Sequence, residues 1–347
     1  MISFANDYSE GCAPEILEKL QAINFEQNPG YGEDRYCQEA ADRIRQLIAS
    51  PDSAVHFLVG GTQTNLVAIA AALRPHEAVI CADTGHVNVH ETGAIEAIGH
   101  KLLVMPGHEG KLLAEEVDQL VQDHIDDISF EHMAKPRLIY ISNTTEIGTL
   151  YSEAELAALR QVADKRELLI YLDGARLASA MTAKTADTSW TSYSCYCDAF
   201  SIGGTKNGLL FGEALVIKDP AWQRDFRYIQ KQKGAILAKS WLIGLQFSEI
   251  LRDDKYLKYA AHANRMAERL AQSFVELGLE LVEPSYSNQT FVYLPLDLHR
   301  KLGQEFIYEP GLEDSAKGRV PVRFCTSWAT KEENVGLLLK RMRELLD

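Results

Sequence analysis

Leu168-Leu-Ile-Tyr-Leu172, followed directly by Asp173-Gly-Ala-Arg176, is the stretch that decides the fold. A short apolar run that ends at a turn residue is typical of a strand buried on both faces of a parallel sheet. The pattern recurs at Ala199-Phe-Ser-Ile202, which leads into Gly203-Gly-Thr-Lys206-Asn-Gly208. Open α/β sheets place their ligands just outside the carboxyl ends of the strands. We therefore expect Asp173 and Lys206 to lie at that edge of a central sheet.

The lysine and the aspartate together indicate a particular chemistry. Burial of a lysine disfavours its ammonium form and favours the neutral amine, which forms a Schiff base with a carbonyl group. A nearby aspartate can keep the ring nitrogen of pyridoxal phosphate protonated, and that proton makes the cofactor an electron sink. Asp173 and Lys206 therefore predict a pyridoxal-phosphate site. Taken alone, Lys206 fits a solvated β-hairpin turn between Ala199–Ile202 and Ala214–Ile217 equally well.

Strand-like apolar segments alternate with amphipathic helical segments through the first part of the chain. The predicted strands are Ala54–Val59, Ala78–Ala82, Lys101–Met105, Arg137–Ser142, Leu168–Leu172, Asp198–Ile202 and Ala214–Ile217. The predicted helices are Pro14–Ile23, Glu33–Ala49, Gln63–Leu73, Glu91–Ile98, Ala114–Ile125 and Glu153–Lys165. This alternation predicts an α/β fold in which helices cover both faces of a mostly parallel sheet.

The pattern changes after Pro220, where a long helical stretch runs to about Leu277. Shorter elements follow it: predicted strands at Leu279–Val282, Phe291–Leu294 and Val320–Cys325, and predicted helices at Asp297–Glu305 and Lys331–Leu346. We therefore expect a large cofactor-binding domain at residues 1–245 and a smaller C-terminal α/β domain at residues 246–347.

Composition excludes several classes of protein. The 347 residues are 46% hydrophobic and 24% charged, which is ordinary for a globular enzyme. A net charge of −14 argues against nucleic acid or an anionic membrane as the main partner. The scattered cysteines predict reduced, mostly buried thiols. The start of the chain lacks a signal-peptide pattern, and no apolar stretch approaches the ~20 residues of a membrane span, so we expect a cytoplasmic protein.

Two further segments follow predicted strands. Gly60-Gly-Thr62 precedes a helix whose N-terminal N–H groups can bind a phosphate, although helix capping explains the triplet about as well. His86 can stack flat on a planar cofactor. His86, His90 and Glu91 also raise the alternative of a metal-dependent hydrolase, but no third ligand is evident and the pattern is not His-Glu-x-x-His.

Two arginines are candidates for binding an anionic substrate group. Arg176 would project from the first turn after Asp173, where its fork suits an α-carboxylate. Arg323 lies within the short apolar strand Val320–Cys325. A charged residue in such a strand needs a partner, either a protein carboxylate or the substrate.

These segments, in this order, resemble the threonine aldolases of the β-eliminating lyase family, which are fold-type I enzymes dependent on pyridoxal phosphate. The resemblance runs from Asn6-Asp7 to the final helix. Its anchors are Tyr31-Gly-Glu-Asp34, Gly60-Gly-Thr62, His86 with Glu91-Thr-Gly93, Asn143-Thr144, Asp173-Gly-Ala-Arg176, Lys206 and Arg323. It implies an aspartate-aminotransferase-like fold, and a homodimer or homotetramer with active sites at subunit interfaces.

The resemblance also assigns roles. Lys206 is implied as the Schiff-base lysine, Asp173 as the partner of the pyridine nitrogen, and His86 as the stacking ring. The implied cofactor-binding residues are Gly61, Thr62, His86, Asp173, Arg176, Thr205 and Lys206. The implied substrate-binding residues are Asn6, Tyr31, Arg176 and Arg323, with Tyr31 serving the neighbouring subunit's site. No metal is expected.

This chain departs from the commonest family pattern in three places. Ala5-Asn6-Asp7 replaces an N-terminal Arg-Ser-Asp, Thr145 replaces a histidine after Asn-Thr, and Gly-Gly-Thr-Lys206-Asn-Gly replaces Ser-Lys-Gly. These differences indicate a divergent branch of the family, in which an aryl substrate such as phenylserine is conceivable.

The expected reaction is retro-aldol cleavage of an L-3-hydroxy-α-amino acid, of threonine, allo-threonine or phenylserine type, to glycine and an aldehyde. The expected catalytic residues are Lys206, His86, Asp173 and Glu91, with His86, Glu91 or a water between them removing the hydroxyl proton. One alternative is β-elimination from tyrosine or a cysteine derivative. Others are the metal-dependent hydrolase and a cofactor-binding protein that has lost catalysis.

Overall fold

The computed structural model describes residues 1–346. The strands are β1 (Ile2–Ser3), β2 (Ala54–Leu58), β3 (Glu77–Ala82), β4 (Lys101–Met105), β5 (Lys135–Ser142), β6 (Leu169–Asp173), β7 (Ala199–Gly203), β8 (Glu213–Ile217), β9 (Gln289–Pro295), β10 (Phe306–Ile307), β11 (Glu309–Pro310) and β12 (Arg319–Cys325). The helices are α1 (Pro14–Ala22), α2 (Arg35–Leu47), α3 (Gly61–Ala72), α4 (His86–Val89), α5 (Ala94–Ala97), α6 (Ala114–Asp126), α7 (Glu153–Arg166), α8 (Leu177–Thr182), α9 (Trp190–Tyr196), α10 (Pro220–Gln223), α11 (Phe226–Gln232), α12 (Trp241–Ile250), α13 (Lys255–Glu276), α14 (Leu296–Leu302) and α15 (Glu332–Leu346).

Seven strands form the central sheet in the order β2-β8-β7-β6-β5-β3-β4. The pairs from β7 through β4 are parallel, whereas β8 runs antiparallel to both β7 and β2. The mostly parallel sheet predicted from the sequence is therefore confirmed. Because β5, β6 and β7 are parallel neighbours, the residues that follow them meet at one edge of the sheet.

Helices bury both faces of this sheet. In β6, Ile170 and Leu172 pack into one core cluster, and Leu169 and Tyr171 pack into the cluster on the opposite face. Successive strand residues point to opposite faces, so a strand covered on both sides is apolar throughout. All five residues of β6 are buried, which explains why its sequence is a continuous apolar run.

A second, smaller sheet has the order β11-β12-β9 and is antiparallel. Its core joins β9 and β12 to α13, α14, α15 and the N-terminal Phe4. The predicted boundary between residues 245 and 246 stays a prediction. Because α13 contributes Tyr256 to the core of the large sheet and Phe274 to the smaller core, we propose that the division falls within this helix.

Two predicted elements are wrong. The predicted helix Glu91–Ile98 shortens to Ala94–Ala97, because Thr92 and Gly93 have φ values of 53° and 70° and break the helical backbone. The predicted strand Leu279–Val282 contributes only a single bridge, between Leu281 and Val292.

Sequence reasoning also missed α8, α9 and the short strands β1, β10 and β11.

No helix among residues 1–346 is both long enough and apolar enough to cross a membrane. All the cysteines in this part of the chain are free thiols, and Cys195 is the exposed one.

Candidate active site

The connections after β6 and β7 bring Asp173 and Lys206 to the same edge of the sheet. Gly174 donates its N–H to Ser201 Oγ at 2.8 Å, and Gly203 donates its N–H to the Gly174 carbonyl at 2.9 Å. A Cβ on Gly174 would collide with the Ser201 carbonyl oxygen. Glycine is therefore required for the two strand ends to approach this closely.

Lys206 lies in the turn between β7 and β8 and is half-buried. Its side chain lines a small internal cavity of about 20 Å³, together with Asp7, Arg176, Tyr256 and Asn288. The hairpin interpretation of this segment is correct for the backbone, since β7 and β8 are antiparallel neighbours. The side chain, however, faces polar groups of the interior rather than open solvent.

Asp173 is buried and anionic. Its Oδ2 accepts hydrogen bonds from Asn65 Nδ2 at 2.9 Å and from the Tyr140 hydroxyl at 2.8 Å, and its Oδ1 accepts from the Ala175 N–H at 2.9 Å. Burial raises the pKa of Asp173, but the charges of His86 and Lys206 and these hydrogen bonds outweigh it and lower the pKa below its usual value. A buried carboxylate held in this way can pair with a protonated ring nitrogen.

His86 begins α4 and is fixed by Glu91. Its Nδ1 lies 2.7 Å from Glu91 Oε1, which also accepts from Asn65 Nδ2 at 2.7 Å. Burial lowers the pKa of His86, but the hydrogen bond to Glu91 and the charges of Glu146 and Asp173 raise it more, so the pKa lies above its usual value. His86 therefore holds a proton more tightly than an ordinary histidine does.

The candidate metal ligands in the structure differ from those suggested by the sequence. Ligand atoms of His86, Glu91 and Asp173 lie within 4.8 Å of one another, whereas the ring of His90 packs on His86 with centroids 5.4 Å apart. The amide nitrogen of Asn65 donates to both carboxylates. A hydrogen-bond donor shared by Glu91 Oε1 and Asp173 Oδ2 engages these two oxygens without a cation, which disfavours the hydrolase alternative.

The turn before α3 has the features of a phosphate cradle. No side chain caps α3, and a Cβ on Gly60 or Gly61 would meet no atom within 4 Å. Thr62, in the first turn, is exposed.

Thr205 stabilises the turn that carries Lys206. Its hydroxyl accepts the Gly212 N–H at 3.0 Å and closes that turn.

Arg176 forms a buried ion pair with Asp7. Its Nε donates to Asp7 Oδ2 at 2.7 Å and its Nη2 donates to Oδ1 at 3.1 Å, while Asn288 Nδ2 donates to the same carboxylate at 2.8 Å. Burial raises the pKa of Asp7, but the charges of Arg176 and Lys206 outweigh it and lower the pKa to about 2. Asn6, by contrast, accepts local hydrogen bonds from Tyr8 and Ser9.

Arg323 lies on β12 at the wall of an open cleft. Its guanidinium pairs with Glu309 and donates to Gln289 Oε1 and the Ala5 carbonyl, both at 3.3 Å, while its buried Nε has no hydrogen-bond partner among residues 1–346. The cleft, of about 450 Å³, lies between the two sheets. Its lining residues include His90, Glu146, Phe291, Glu309 and Arg323.

Tyr31, a predicted site residue, does not line the cavities that Lys206 and Arg323 line. It is 47% exposed and lines a separate surface groove with Arg227, Tyr228 and Lys231, whose ammonium lies 4.6 Å from the centre of its ring.

Sequence reasoning missed Asn65, Tyr140 and Glu213. Each has a weak signal. Asn65 directly precedes the apolar part of helix α3, Tyr140 is a tyrosine in the apolar strand β5, and Glu213 is a carboxylate at the start of the apolar strand β8.

Comparisons with known proteins agree with this geometry. A model of the beta-eliminating lyase family matches residues 4–296. A low specificity L-threonine aldolase of Pseudomonas aeruginosa is 32% identical over 346 residues, covering 98% of this chain and 96% of that protein. A second such aldolase, from a Pseudomonas species, is 30% identical and covers 99% of this chain and 97% of its own length.

Solved structures agree as well. A threonine aldolase of Leishmania major superposes with a TM-score of 0.96 at 41% identity, covering 100% of both chains. An aspartate aminotransferase of Thermotoga maritima superposes with a TM-score of 0.73 at 15% identity, covering 99% of this chain and 92% of that one. The latter likeness concerns the fold alone and confirms the predicted aspartate-aminotransferase-like architecture. The family model, the near-full-length relatives and the arrangement around Asp173 and Lys206 agree, and the chain belongs to the beta-eliminating lyase family.

Proposed function

We propose that the chain is an aldolase that cleaves an L-3-hydroxy-α-amino acid of threonine type to glycine and an aldehyde. The observation that carries this proposal is the meeting of an anionic Asp173 with Lys206 at the ends of neighbouring strands, close to Arg176. The proposal is supported by relatives named as low specificity L-threonine aldolases, which match this chain over nearly its whole length.

The residues present fit pyridoxal phosphate. The open cradle at Gly60 and Gly61 suits its phosphate, and Asp173 suits its ring nitrogen. Buried polar atoms without a hydrogen-bond partner among the described residues also lie in this region: Glu91 Oε2, Ser142 Oγ, Thr144 Oγ1 and Glu213 Oε2. Gly61, Thr62, His86, Asp173, Arg176, Thr205 and Lys206 would hold the cofactor, which supplies an electron sink when bound.

Arg323, Arg176 and Lys206 have separate proposed roles in binding the substrate and in moving a proton. Arg323, which lines the open cleft, is placed to bind the substrate carboxylate, and Arg176 supports it from beside Lys206. Asp7 keeps the Arg176 fork in one orientation. Lys206 would hold the cofactor covalently, and its amine is the group placed to move a proton during the reaction.

For the assembly, we propose a homodimer or homotetramer in which Tyr31 faces a neighbouring subunit. Support comes from the surface groove around Tyr31, where Tyr228 is 80% exposed. A monomer would leave these aromatic rings in water.

Replacing Lys206 tests the function. The wild-type protein should be yellow, should bleach with borohydride and carry the reduced label on Lys206, and should form glycine and acetaldehyde from L-threonine. Lys206→Ala should lose multiple turnover. Lys184→Ala is the matched control, because the Lys184 side chain is 81% exposed and pairs only with Glu268 at the surface. Normal turnover by Lys206→Ala would overturn the scheme, and formation of pyruvate and ammonia would favour β-elimination.

A further inference from the structure

The turn after β5 places one carboxylate in the open cleft. Thr145 N–H donates to the Thr149 carbonyl at 2.9 Å, Gly148 N–H donates to the Thr145 carbonyl at 3.0 Å, and the two threonine hydroxyls lie 2.6 Å apart. The Thr149 hydroxyl in turn donates to the Glu109 carbonyl at 2.6 Å. Glu146 is thus presented from a turn that is hydrogen-bonded at both ends.

Glu146 lies between the predicted cofactor region and the substrate cleft. It lines the open cleft together with Arg323, and it lines a smaller adjoining cavity together with Tyr140 and Ser142. Burial raises the pKa of Tyr140, and the charges of Asp173, Glu91 and Glu146 raise it further. Burial lowers the pKa of Arg176, but the charge of Asp7, together with a smaller effect of Glu146, raises it. A half-buried carboxylate in this position faces the space that a substrate bound to Arg323 would occupy.

The other carboxylates nearby make hydrogen bonds or ion pairs. Asp83, which lines the same cleft, is exposed, and its Oδ1 accepts the N–H groups of Thr84 and Gly107. Ion pairs join Glu91 to His86, Asp7 to Arg176 and Glu309 to Arg323, and Glu146 takes part in none of these pairs. Asp173 accepts hydrogen bonds from two side chains.

His86 is a poor proton acceptor in this arrangement. Its Nδ1 is held by Glu91, and its pKa lies above the usual value, so a proton on this ring is held more tightly than on an ordinary histidine. Glu91 Oε1 already accepts from both His86 and Asn65. Glu91 Oε2 has no hydrogen-bond partner among residues 1–346, but Glu91 is buried and does not line the cleft. Glu146 is half-buried and lines the cleft itself, so it is the carboxylate best placed to receive a proton from a substrate there.

We propose that Glu146 accepts the proton of the substrate's β-hydroxyl group. This inference rests on the proposed aldolase function. The O–H bond breaks, its electron pair forms the second bond of the aldehyde carbonyl, and the proton goes to a carboxylate oxygen of Glu146. The Cα–Cβ bond breaks with its electron pair remaining on Cα, which then takes a proton from water. Glu146 returns its proton to water through the open cleft, so the atoms and charges balance.

Glu146→Gln removes the basic group and keeps the size of the side chain. Loss of a general base typically costs ~100-fold or more in rate, and we expect a loss of that order in kcat for cleavage of L-threonine. Exchange of the α-hydrogen of glycine in D2O, followed by NMR, needs no β-hydroxyl proton and should continue at the wild-type rate. Glycine binding measured by calorimetry should be unchanged. Glu146→Asp, which keeps a carboxylate, should retain part of the cleavage activity.

Glu109→Gln is the matched control, because Glu109 is exposed and only its backbone carbonyl supports the turn. Wild-type cleavage by Glu146→Gln would overturn the proposal, as would equal losses of cleavage and glycine exchange, which would indicate a structural role. Failure of the proposed function has a different signature, since the wild-type protein would then neither cleave L-threonine nor exchange glycine.

Discussion

At the scale of single residues, the environments of two buried carboxylates near Lys206 push their pKa values in opposite directions. Asp173 has two side-chain hydrogen-bond donors and a lowered pKa. Burial raises the pKa of Glu213 to about 8, although the charge of Lys206 acts in the opposite direction. Its Oε2 has no hydrogen-bond partner among residues 1–346. One carboxylate is therefore charged and the other neutral near pH 7.

The protonated state of Glu213 has a consequence for stability. Because its pKa of about 8 exceeds the ordinary value of 4.5, the folded chain keeps a proton that the unfolded chain releases. Its contribution is therefore fully present below the ordinary value, and the free energy of unfolding falls as the pH rises toward 8. Glu213→Gln mimics the neutral form and should remove this fall, which is on the order of a few kcal/mol.

Urea unfolding of the cofactor-free protein across this pH window measures the effect. Glu276→Gln, at an exposed position of α13, is the control and should follow the wild type. If the free energy of unfolding depends on pH in the same way in the wild type and in Glu213→Gln, then Glu213 does not hold the proton.

At the scale of secondary-structure elements, the approach of β6 to β7 depends on Gly174. Its N–H and carbonyl bond to Ser201 and Gly203, and an added Cβ would collide with the Ser201 carbonyl and lie 3.2 Å from Leu177 Cβ. Gly174→Ala should therefore push the strand ends apart and displace Lys206. We expect a loss of stability of ~1–3 kcal/mol, as for overpacked cores, together with a lower kcat.

Gly11→Ala is the control for this element, because a Cβ on Gly11 meets no atom within 4 Å. Urea unfolding and threonine cleavage measure the two effects. If Gly174→Ala unfolds at the same urea concentration as the wild type, the close approach of Gly174 to the Ser201 carbonyl does not determine the stability of the protein.

A feature can be predicted when it depends on neighbouring residues in the sequence, and it cannot when it depends on a contact with a distant residue. The strands of the central sheet were predicted within a few residues, because a strand covered on both faces is an apolar run in the sequence. The positions of Asp173 and Lys206 could be predicted because Asp173 directly follows such a run and Lys206 follows another after a turn of three residues. The role of Asn65 was not predictable, since it depends on a contact with Asp173 between residues distant in the sequence. The break in the predicted helix Glu91–Ile98 depends on the positive φ of Thr92, which the helical pattern does not indicate.

At the scale of the whole molecule, the N-terminal segment joins the smaller sheet to the candidate active site. Ile2 and Ser3 pair with β10, and Phe4 packs in the smaller core and accepts the Cys325 N–H at 2.8 Å. Three residues later, Asp7 pairs with Arg176 beside the large sheet. The first residues of the chain therefore couple the position of the smaller sheet to the orientation of an active-site arginine.

Asp7→Asn tests this coupling. Arg176 would lose its anionic partner while remaining buried, and breaking a buried ion pair in this way typically costs ~3–5 kcal/mol. Because the pKa of Asp7 is lowered from 3.8 to about 2, the contribution of the pair should be fully present above 3.8 and be lost as the pH falls through 2. Asp42→Asn is the matched control, since Asp42 is 53% exposed, pairs with Arg45 and should contribute little. Urea unfolding near neutral pH compares the two variants, and equal, small losses for both would show that Asp7 does not tie the N-terminal segment to the site.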